Sequence, residues 1–146
     1  MLGDRVAGAS FLDLFCGSGA NGIEALSRGA AHCVFVDKSR ECEAALRRNL
    51  EHTKLAARSR VMIADFLSAM DCLAAERAAF DIVFIDPPYS AGLAARALGA
   101  AARLLRAGAL VVVEEAYGAP PPGETGLELI KQKRYGAAGL YVYSKE

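Results

Sequence analysis

Residues 86–89 read Asp86-Pro87-Pro88-Tyr89, directly after the apolar run Phe80-Asp81-Ile82-Val83-Phe84-Ile85. Proline cannot donate to a sheet ladder, so a strand over residues 80–85 must stop here. The turn that follows is rich in acceptors: the Asp86 carboxylate, backbone carbonyls without competing N–H groups, and beside them the flat ring of Tyr89. Such a set can bond the hydrogens of an exocyclic amino group and stack on the planar base that carries it. Three further acids, Asp13, Asp37 and Asp65, also stand at or just beyond the ends of apolar runs. One acid in such a place is often only a helix cap or a turn former. Four along one sheet edge describe a functional rim.

The chain alternates strand and helix patterns. Strands are predicted over residues 10–15, 33–36, 60–64, 80–85 and 109–113, and helices over 20–28, from Ser39 onward, 68–77 and from Ser90 to about 105. Ser39 and Ser90 are placed as helix caps, and Gly29 and Gly108 as helix ends. The proline-containing stretch 119–126 reads as an exposed loop, and residues 127–135 and 140–145 as two strands joined through Gly136 and Gly139. Near-continuous apolar strands alternating with helices imply a parallel sheet covered on both faces. Sheets of this kind take ligands beyond the carboxyl ends of their strands, where the strand order switches.

The turn after the first strand is Asp13-Leu14-Phe15-Cys16-Gly17-Ser18-Gly19-Ala20-Asn21-Gly22. Gly17, Gly19 and Gly22 have the GxGxxG spacing of dinucleotide sites, which by itself is a weak signal. A tight strand-to-helix turn needs glycine with or without a ligand. Gly19 is expected to serve both purposes, relaxing the turn and letting a ligand approach. Asp13, four residues before Gly17, would repel a pyrophosphate but attract an ammonium. Asp37 suits ribose hydroxyls, and Asp65-Phe66 offers an acceptor and a ring for adenine. Together these describe S-adenosylmethionine.

Composition sets wide bounds. The 146 residues fit one domain, and 53% hydrophobic residues can build a sizeable core. Lys+Arg and Asp+Glu are both 17, which argues against strong non-specific nucleic-acid binding but not against a local basic face. No apolar run approaches the roughly 20 residues of a spanning helix. The start of the chain lacks the pattern of a secretory leader, so a cytoplasmic location is expected. Cys16, Cys33, Cys42 and Cys72 show no CxxC spacing, and His32 and His52 are the only histidines. Reduced thiols and no metal site are expected.

Here a resemblance enters. Residues 12–30, Leu12-Asp13-Leu14-Phe15-Cys16-Gly17-Ser18-Gly19-Ala20-Asn21-Gly22-Ile23-Glu24-Ala25-Leu26-Ser27-Arg28-Gly29-Ala30, are similar to the cofactor loop and following helix of a small bacterial family of class I S-adenosylmethionine-dependent methyltransferases. That family methylates the N2 amino group of a guanine in 16S ribosomal RNA. Residues 80–89 resemble its catalytic strand and loop, and Lys133-Arg134-Tyr135-Gly136 with Leu140-Tyr141-Val142-Tyr143 resembles its final hairpin. The resemblance implies a Rossmann-like α/β fold with a seven-stranded, mostly parallel sheet in the order 3-2-1-4-5-7-6, the last strand antiparallel, and helices on both faces. It implies S-adenosylmethionine bound by Asp13, Phe15, Gly17, Gly19, Asp37, Lys38, Asp65, Phe66 and Asp86, with Asp86, Pro87, Pro88 and Tyr89 catalytic. It implies ribosomal RNA or the small ribosomal subunit as partner, no membrane, and a monomer. Family members carry a further segment ahead of the first strand, with a basic hairpin and a helix beside the cofactor. This sequence begins at what resembles that helix's last turn, either as a truncated fragment or as an unusually short protein, so the RNA affinity of these residues is expected to be lower.

Two other readings stay open. Adenine-N6 DNA methyltransferases also use Asp-Pro-Pro-Tyr, while methyltransferases of protein glutamine usually carry Asn where Asp86 stands. A dinucleotide-binding protein without methyl transfer is disfavoured by Asp13 and by the Asp86 loop. His32 and His52 read as packing or surface residues, and Arg47, Arg48, Lys54, Arg58 and Arg60 as a solvated face. An RNA role for Lys131, Lys133 and Arg134 is open, and Glu114-Glu115 is assigned no chemistry.

Overall fold

The structure is a computed structural model and describes residues 2–88, 92–117 and 126–146. Its sheet has seven strands in the order β3-β2-β1-β4-β5-β7-β6. These are β1 (Ser10–Leu14), β2 (His32–Asp37), β3 (Ser59–Ile63), β4 (Phe80–Ile85), β5 (Leu105–Ala116), β6 (Leu127–Tyr135) and β7 (Ala138–Lys145). The first five pair in parallel, and β7 runs antiparallel to both β5 and β6. The helices are α1 (Ala20–Ser27), α2 (Arg40–His52), α3 (Phe66–Ala75) and α4 (Leu93–Ala101). This is the expected architecture.

Two apolar layers flank the sheet. Leu12, Leu14, Val34, Val36, Val83, Ile85, Val111 and Val113 pack with Met70 and Leu73 of α3 and Leu98 of α4. Phe11, Cys33, Phe35 and Ile82 face the other way, toward Ala25 and Leu26 of α1 and Leu46 and Leu50 of α2. Successive strand residues point to opposite faces, so a strand buried on both sides must be apolar throughout. Asp13 breaks that rule and is the one buried charged residue among those described.

Boundaries moved where chemistry at an element end decided them. Helix α3 starts two residues earlier than predicted, because Asp65 Oδ2 accepts from Leu67 N and Ser68 N and so caps it. Ser39 caps α2 as expected, its hydroxyl accepting from Cys42 N at 3.4 Å. Gly108 does not end α4: a single turn of 3-10 helix (Ala102–Leu104) follows that helix, and Gly108, at φ 79°, lies inside β5 near a register shift against β4. The proposed cap Ser90 and prolines 120–122 lie outside the described residues. Among the described residues, no helix is long and apolar enough to cross a membrane.

Candidate functional site

The carboxyl ends of β1, β2, β3 and β4 open onto one cleft of about 380 Å³. Its lining includes Phe15, Asp37, Lys38, Asp65, Phe66, Asp86 and Pro88. Residues from four separate loops therefore meet at the switch in strand order, between β1 and β4. A larger hollow of about 440 Å³ lies at the opposite edge, around Ala9, Asp81 and Gly108. Its one acid is already engaged: Asp81 Oδ2 accepts from Ser10 N and from Arg106, both at 2.8 Å.

The floor of the cleft is aromatic. Phe15 sits directly after β1 with φ 59°. That region is uncommon for a bulky side chain and costs about 1–3 kcal/mol, a strain that surrounding structure must hold. The turn carries the Phe15 ring to 5.2 Å from the ring of Phe66, at an interplanar angle of 49°. The Arg96 guanidinium, from α4, lies 5.7 Å from the Phe66 ring centre. Arg96 and Leu93, which also line the cleft, were not identified from the sequence. The available signal was a lone cation in the otherwise uncharged helix Leu93–Ala101.

Asp37 locks the glycine loop onto β2. Its Oδ2 accepts from Gly17 N and its Oδ1 from Ser39 N, each at 2.9 Å. A carboxylate has about four acceptor positions, so capacity remains for hydroxyls. Lys38 and Asp65 are exposed at the mouth; Pro87 is buried and Pro88 exposed. Tyr89 lies outside the described residues.

Asp13 is fully buried and does not line the cleft. Strand alternation turns it toward α1, where its Oδ2 accepts from Gly22 N at 3.0 Å. Its Oδ1 has no hydrogen-bond partner among the described residues. Burial pushes the carboxyl up to about 7, against a partial offset from the Gly22 hydrogen bond. An orphaned carboxylate oxygen beneath a glycine loop fits a cationic ligand group.

At Gly19 and Gly22 an added side chain would meet the core of the fold. A Cβ on Gly19, which has φ 90°, would come 2.3 Å from Leu46 Cδ1 and 3.3 Å from Phe35 Cε1. It would point into the core, so the expectation that a side chain there blocks a ligand is corrected. A Cβ on Gly22 would lie 2.3 Å from Phe35 and 2.7 Å from Cys33 Sγ, so this glycine sets the approach of α1 to the sheet. Gly17, at φ 55°, has open space on its Cβ side.

The structure adds a residue to which the sequence assigned no chemistry. Ile85 of β4 is opposite Val113 of β5, which brings the next residues, Asp86 and Glu114, side by side. Their carboxyls are hydrogen-bonded. Both are held above the ordinary carboxylate range, chiefly by burial; for Asp86 the bond from Glu114 pulls the other way. Several expected surface cations have structural partners. Arg58 donates to Ala30 O at 2.6 Å and Leu26 O at 3.2 Å, and Arg60 pairs with Glu76.

The buried Asp13 gives a stability prediction. Between about pH 4 and pH 7 the native carboxyl keeps a proton that the unfolded chain has lost, so its contribution to stability falls as pH rises through that window. Asp13→Asn cannot titrate. In thermal melts from pH 5 to pH 8, the variant should gain on the parent steadily as pH rises. A constant difference between the two would show that Asp13 does not titrate there.

The sheet order and the cleft define the class, a class I S-adenosylmethionine-dependent methyltransferase fold. The chain belongs to the family described as conserved hypothetical protein 95, whose profile matches residues 1–144. YlbH of Bacillus subtilis (strain 168), assigned by name as an rRNA methyltransferase, is 33% identical over 148 residues, covering 99% of this chain and 80% of that protein. Ribosomal RNA small subunit methyltransferase D of Escherichia coli (strain K12) is 41% identical over 88 residues, covering 60% of this chain and 42% of that protein. This second match thus spans less than half of the relative. The solved structure of yhhF from Escherichia coli, assigned as a methyltransferase, superposes with a TM-score of 0.85 at 33% identity, covering 99% of this chain and 80% of that one.

Proposed function

We propose that this chain binds S-adenosylmethionine in the cleft and methylates the exocyclic N2 amino group of a guanine in 16S ribosomal RNA. One observation carries the reading: Asp86, at the end of β4, lines the same cleft as Asp37, Asp65 and Phe66. An amine-gripping loop and a nucleoside-sized pocket thus share one wall.

When bound, S-adenosylmethionine supplies a sulfonium methyl, a strong electrophile. A guanine N2 lone pair is delocalised into the ring and is a poor nucleophile, so positioning and charge stabilisation are what the protein must contribute. Asp86 and the Pro87 carbonyl accept the two amino hydrogens and aim the nitrogen. Asp86 also stabilises the positive charge that develops there and takes up the proton. Tyr89 stacks on the base. Phe66, Phe15 and Arg96 would hold the adenine, with Asp65 as its acceptor, and Asp37 and Lys38 would meet the ribose. Asp13, buried beneath the glycine loop and outside the cleft lining, would favour the ammonium electrostatically rather than by lining its site.

The binding half of the proposal is tested by calorimetry with S-adenosylhomocysteine and NAD: the first should bind and the second should not. If the ammonium lies near Asp13, binding below pH 7 should release a proton, because a cation favours the ionised carboxylate. The same titration in two buffers of different ionisation enthalpy reads that proton directly. The transfer half is tested by mass spectrometry of nucleosides from 16S RNA, with and without the gene. N2-methylguanosine should depend on it; N6-methyladenosine appearing instead would move the reading to adenine.

Glu114 gives a pH prediction. Transfer needs Asp86 ionised, so the rate should fall as pH drops through a midpoint above the ordinary carboxylate range. Asp37 and Lys38 beyond β2 and Arg96 of α4 share the cleft with Asp86, and Asp13 of β1 acts on it from beneath; Glu115 alternates to the other face of β5. Glu114→Gln keeps a hydrogen-bond donor for Asp86 and removes the second acid. The acid limb of its rate profile should shift to lower pH with the plateau largely kept, whereas Glu114→Ala should lower the plateau. An unmoved limb in the Gln variant would rule out coupling between the two carboxyls.

A further inference from the structure

The β6–β7 hairpin carries an aromatic and cationic surface that methyl transfer does not use. Tyr117, directly after β5, is 52% exposed, and Tyr135, at the end of β6, is 49% exposed. Each ring has a cation over it. The Arg134 guanidinium lies 4.3 Å from the Tyr117 ring centre, and Lys133 Nζ lies 5.0 Å from that of Tyr135. Such pairs contribute about 0.5–1 kcal/mol at exposed sites, enough to bias the side chains but not to fix them.

The backbone beneath these side chains is held. Tyr117 N donates to Ala137 O at 2.8 Å, and Arg134 Nε donates to Gly136 O at 2.9 Å. Ala138 pairs with Ala116 on one side and with Tyr135 on the other, so strand alternation puts Tyr135, with Lys133 and Lys131, on one face of the hairpin and Tyr117, with Arg134, on the opposite face. The charge is local. The outer half of β6, residues 131–135, carries Lys131, Lys133 and Arg134 and no acid, in a chain whose net charge is zero. Two acids stand across β7, Glu114 opposite Leu140 and Glu115 opposite Gly139; Glu114 interacts with Asp86, and Glu115 Oε1 accepts from Ala116 N at 3.0 Å.

Topology puts this surface on the reactive edge. Because β7 is antiparallel, the turn between β6 and β7 lies at the carboxyl ends of the parallel strands, the edge where Asp86 stands. Val113 is opposite both Ile85 and Tyr141, and Tyr141 is opposite Gln132. With strands about 4.8 Å apart, β6 lies about 14 Å across the sheet from β4, and the turn rises about 10 Å beyond the level of Asp86.

We propose that the end of this hairpin, with Tyr135, Lys131 and Lys133 on one face and Tyr117 and Arg134 on the other, forms a two-sided platform over which single-stranded RNA flanking the base delivered to Asp86 is held. The inference rests on the RNA-methylating reading and adds where the strand lies. Exposed ring faces recognise unstacked bases, which a duplex does not offer. The cations neutralise phosphates between the stacked bases, and guanidinium planes themselves stack on bases. Because the whole chain is neutral, the residues outside Lys131, Lys133 and Arg134 carry a net charge of −3 (14 cations against 17 acids), which confines this attraction to the hairpin.

The experiment is fluorescence anisotropy with a short labelled single-stranded RNA, and with the matching duplex, across a range of salt. The variants are Tyr117→Ala with Tyr135→Ala, the same pair changed to Phe, and Lys133→Ala with Arg134→Ala, each first checked by thermal melt and by S-adenosylhomocysteine binding. The parent should prefer the single strand. The Ala pair should lose tenfold or more in affinity, the Phe pair should keep most of it, and the cation pair should bind more weakly with a flatter salt dependence. Unchanged RNA affinity in the Ala pair, equal binding of duplex and single strand, or no detectable RNA binding by the parent would each overturn the platform. So would a change in oligomeric mass with RNA affinity intact, since the rings would then serve a contact between copies. Asp86→Ala separates the two levels: loss of turnover there with normal RNA binding by the tyrosine variants sinks the platform alone, and full turnover there sinks the methyl-transfer reading.

Discussion

Asp86→Ala is expected to cut methyl transfer at saturating cofactor by at least roughly a hundredfold, about 2.7 kcal/mol of lost transition-state stabilisation. Binding of S-adenosylhomocysteine should stay nearly parental, because Asp37, Asp65 and Phe66 line the cleft independently of it. The size of the effect follows from the nucleophile. A delocalised amine gains its reactivity from an acceptor that tightens as positive charge appears on nitrogen, and a methyl group in place of the carboxylate offers none. Asp86→Asn keeps one acceptor and loses the charge, so its rate should fall between those of the Ala variant and the parent. Single-turnover transfer of labelled methyl to 16S RNA measures both. A near-parental rate in Asp86→Ala would remove this residue from the chemistry.

Gly19→Val is expected to act on stability before it acts on any ligand. The residue has φ 90°, and its Cβ would reach Leu46 and Phe35, both fully buried. Left-handed backbone with a branched side chain and overpacking of a closed core together cost about 2–5 kcal/mol. Loops and helices on both sides depend on this turn: Gly19 N donates to Cys16 O at 2.8 Å, and Ile23 N donates back to Gly19 O at 2.9 Å. Chemical denaturation should show the midpoint falling sharply. Cofactor binding should then fail at temperatures where the variant is unfolded and recover on cooling if the fold returns. A parental midpoint with binding abolished would restore the view that Gly19 faces the ligand. Gly17→Ala makes the contrast. Its Cβ has open space, so only the backbone strain at φ 55° is incurred, about 1–2 kcal/mol.

The parts of the site legible in sequence were those set by local chemistry. Proline at 87 and 88 had to end β4, and did so at Ile85. Asp37 and Asp65 had to stand at strand ends because each follows a strand pattern and precedes a helix pattern. What each acid does was less legible. Asp65 reads as an adenine acceptor in sequence, yet its carboxylate also caps α3. Asp37 reads as a ribose partner, yet it also fastens Gly17 and Ser39. Both second roles are short-range hydrogen bonds that depend on the turn geometry, which spacing alone does not fix.

By itself the sequence determined the strand–helix alternation, the two-faced burial of the strands and the set of acids along one edge. These are consequences of side-chain period and backbone donors, properties that each segment carries with it. The tertiary structure alone decided three things. The parity of β1 turned Asp13 under the glycine loop instead of into the cleft. The register of β4 against β5 joined Glu114 to Asp86, residues 28 positions apart. The packing of α4 over α3 brought Arg96 to the Phe66 ring. In each case the partner comes from a different segment, and only the assembled sheet brings the two within contact distance.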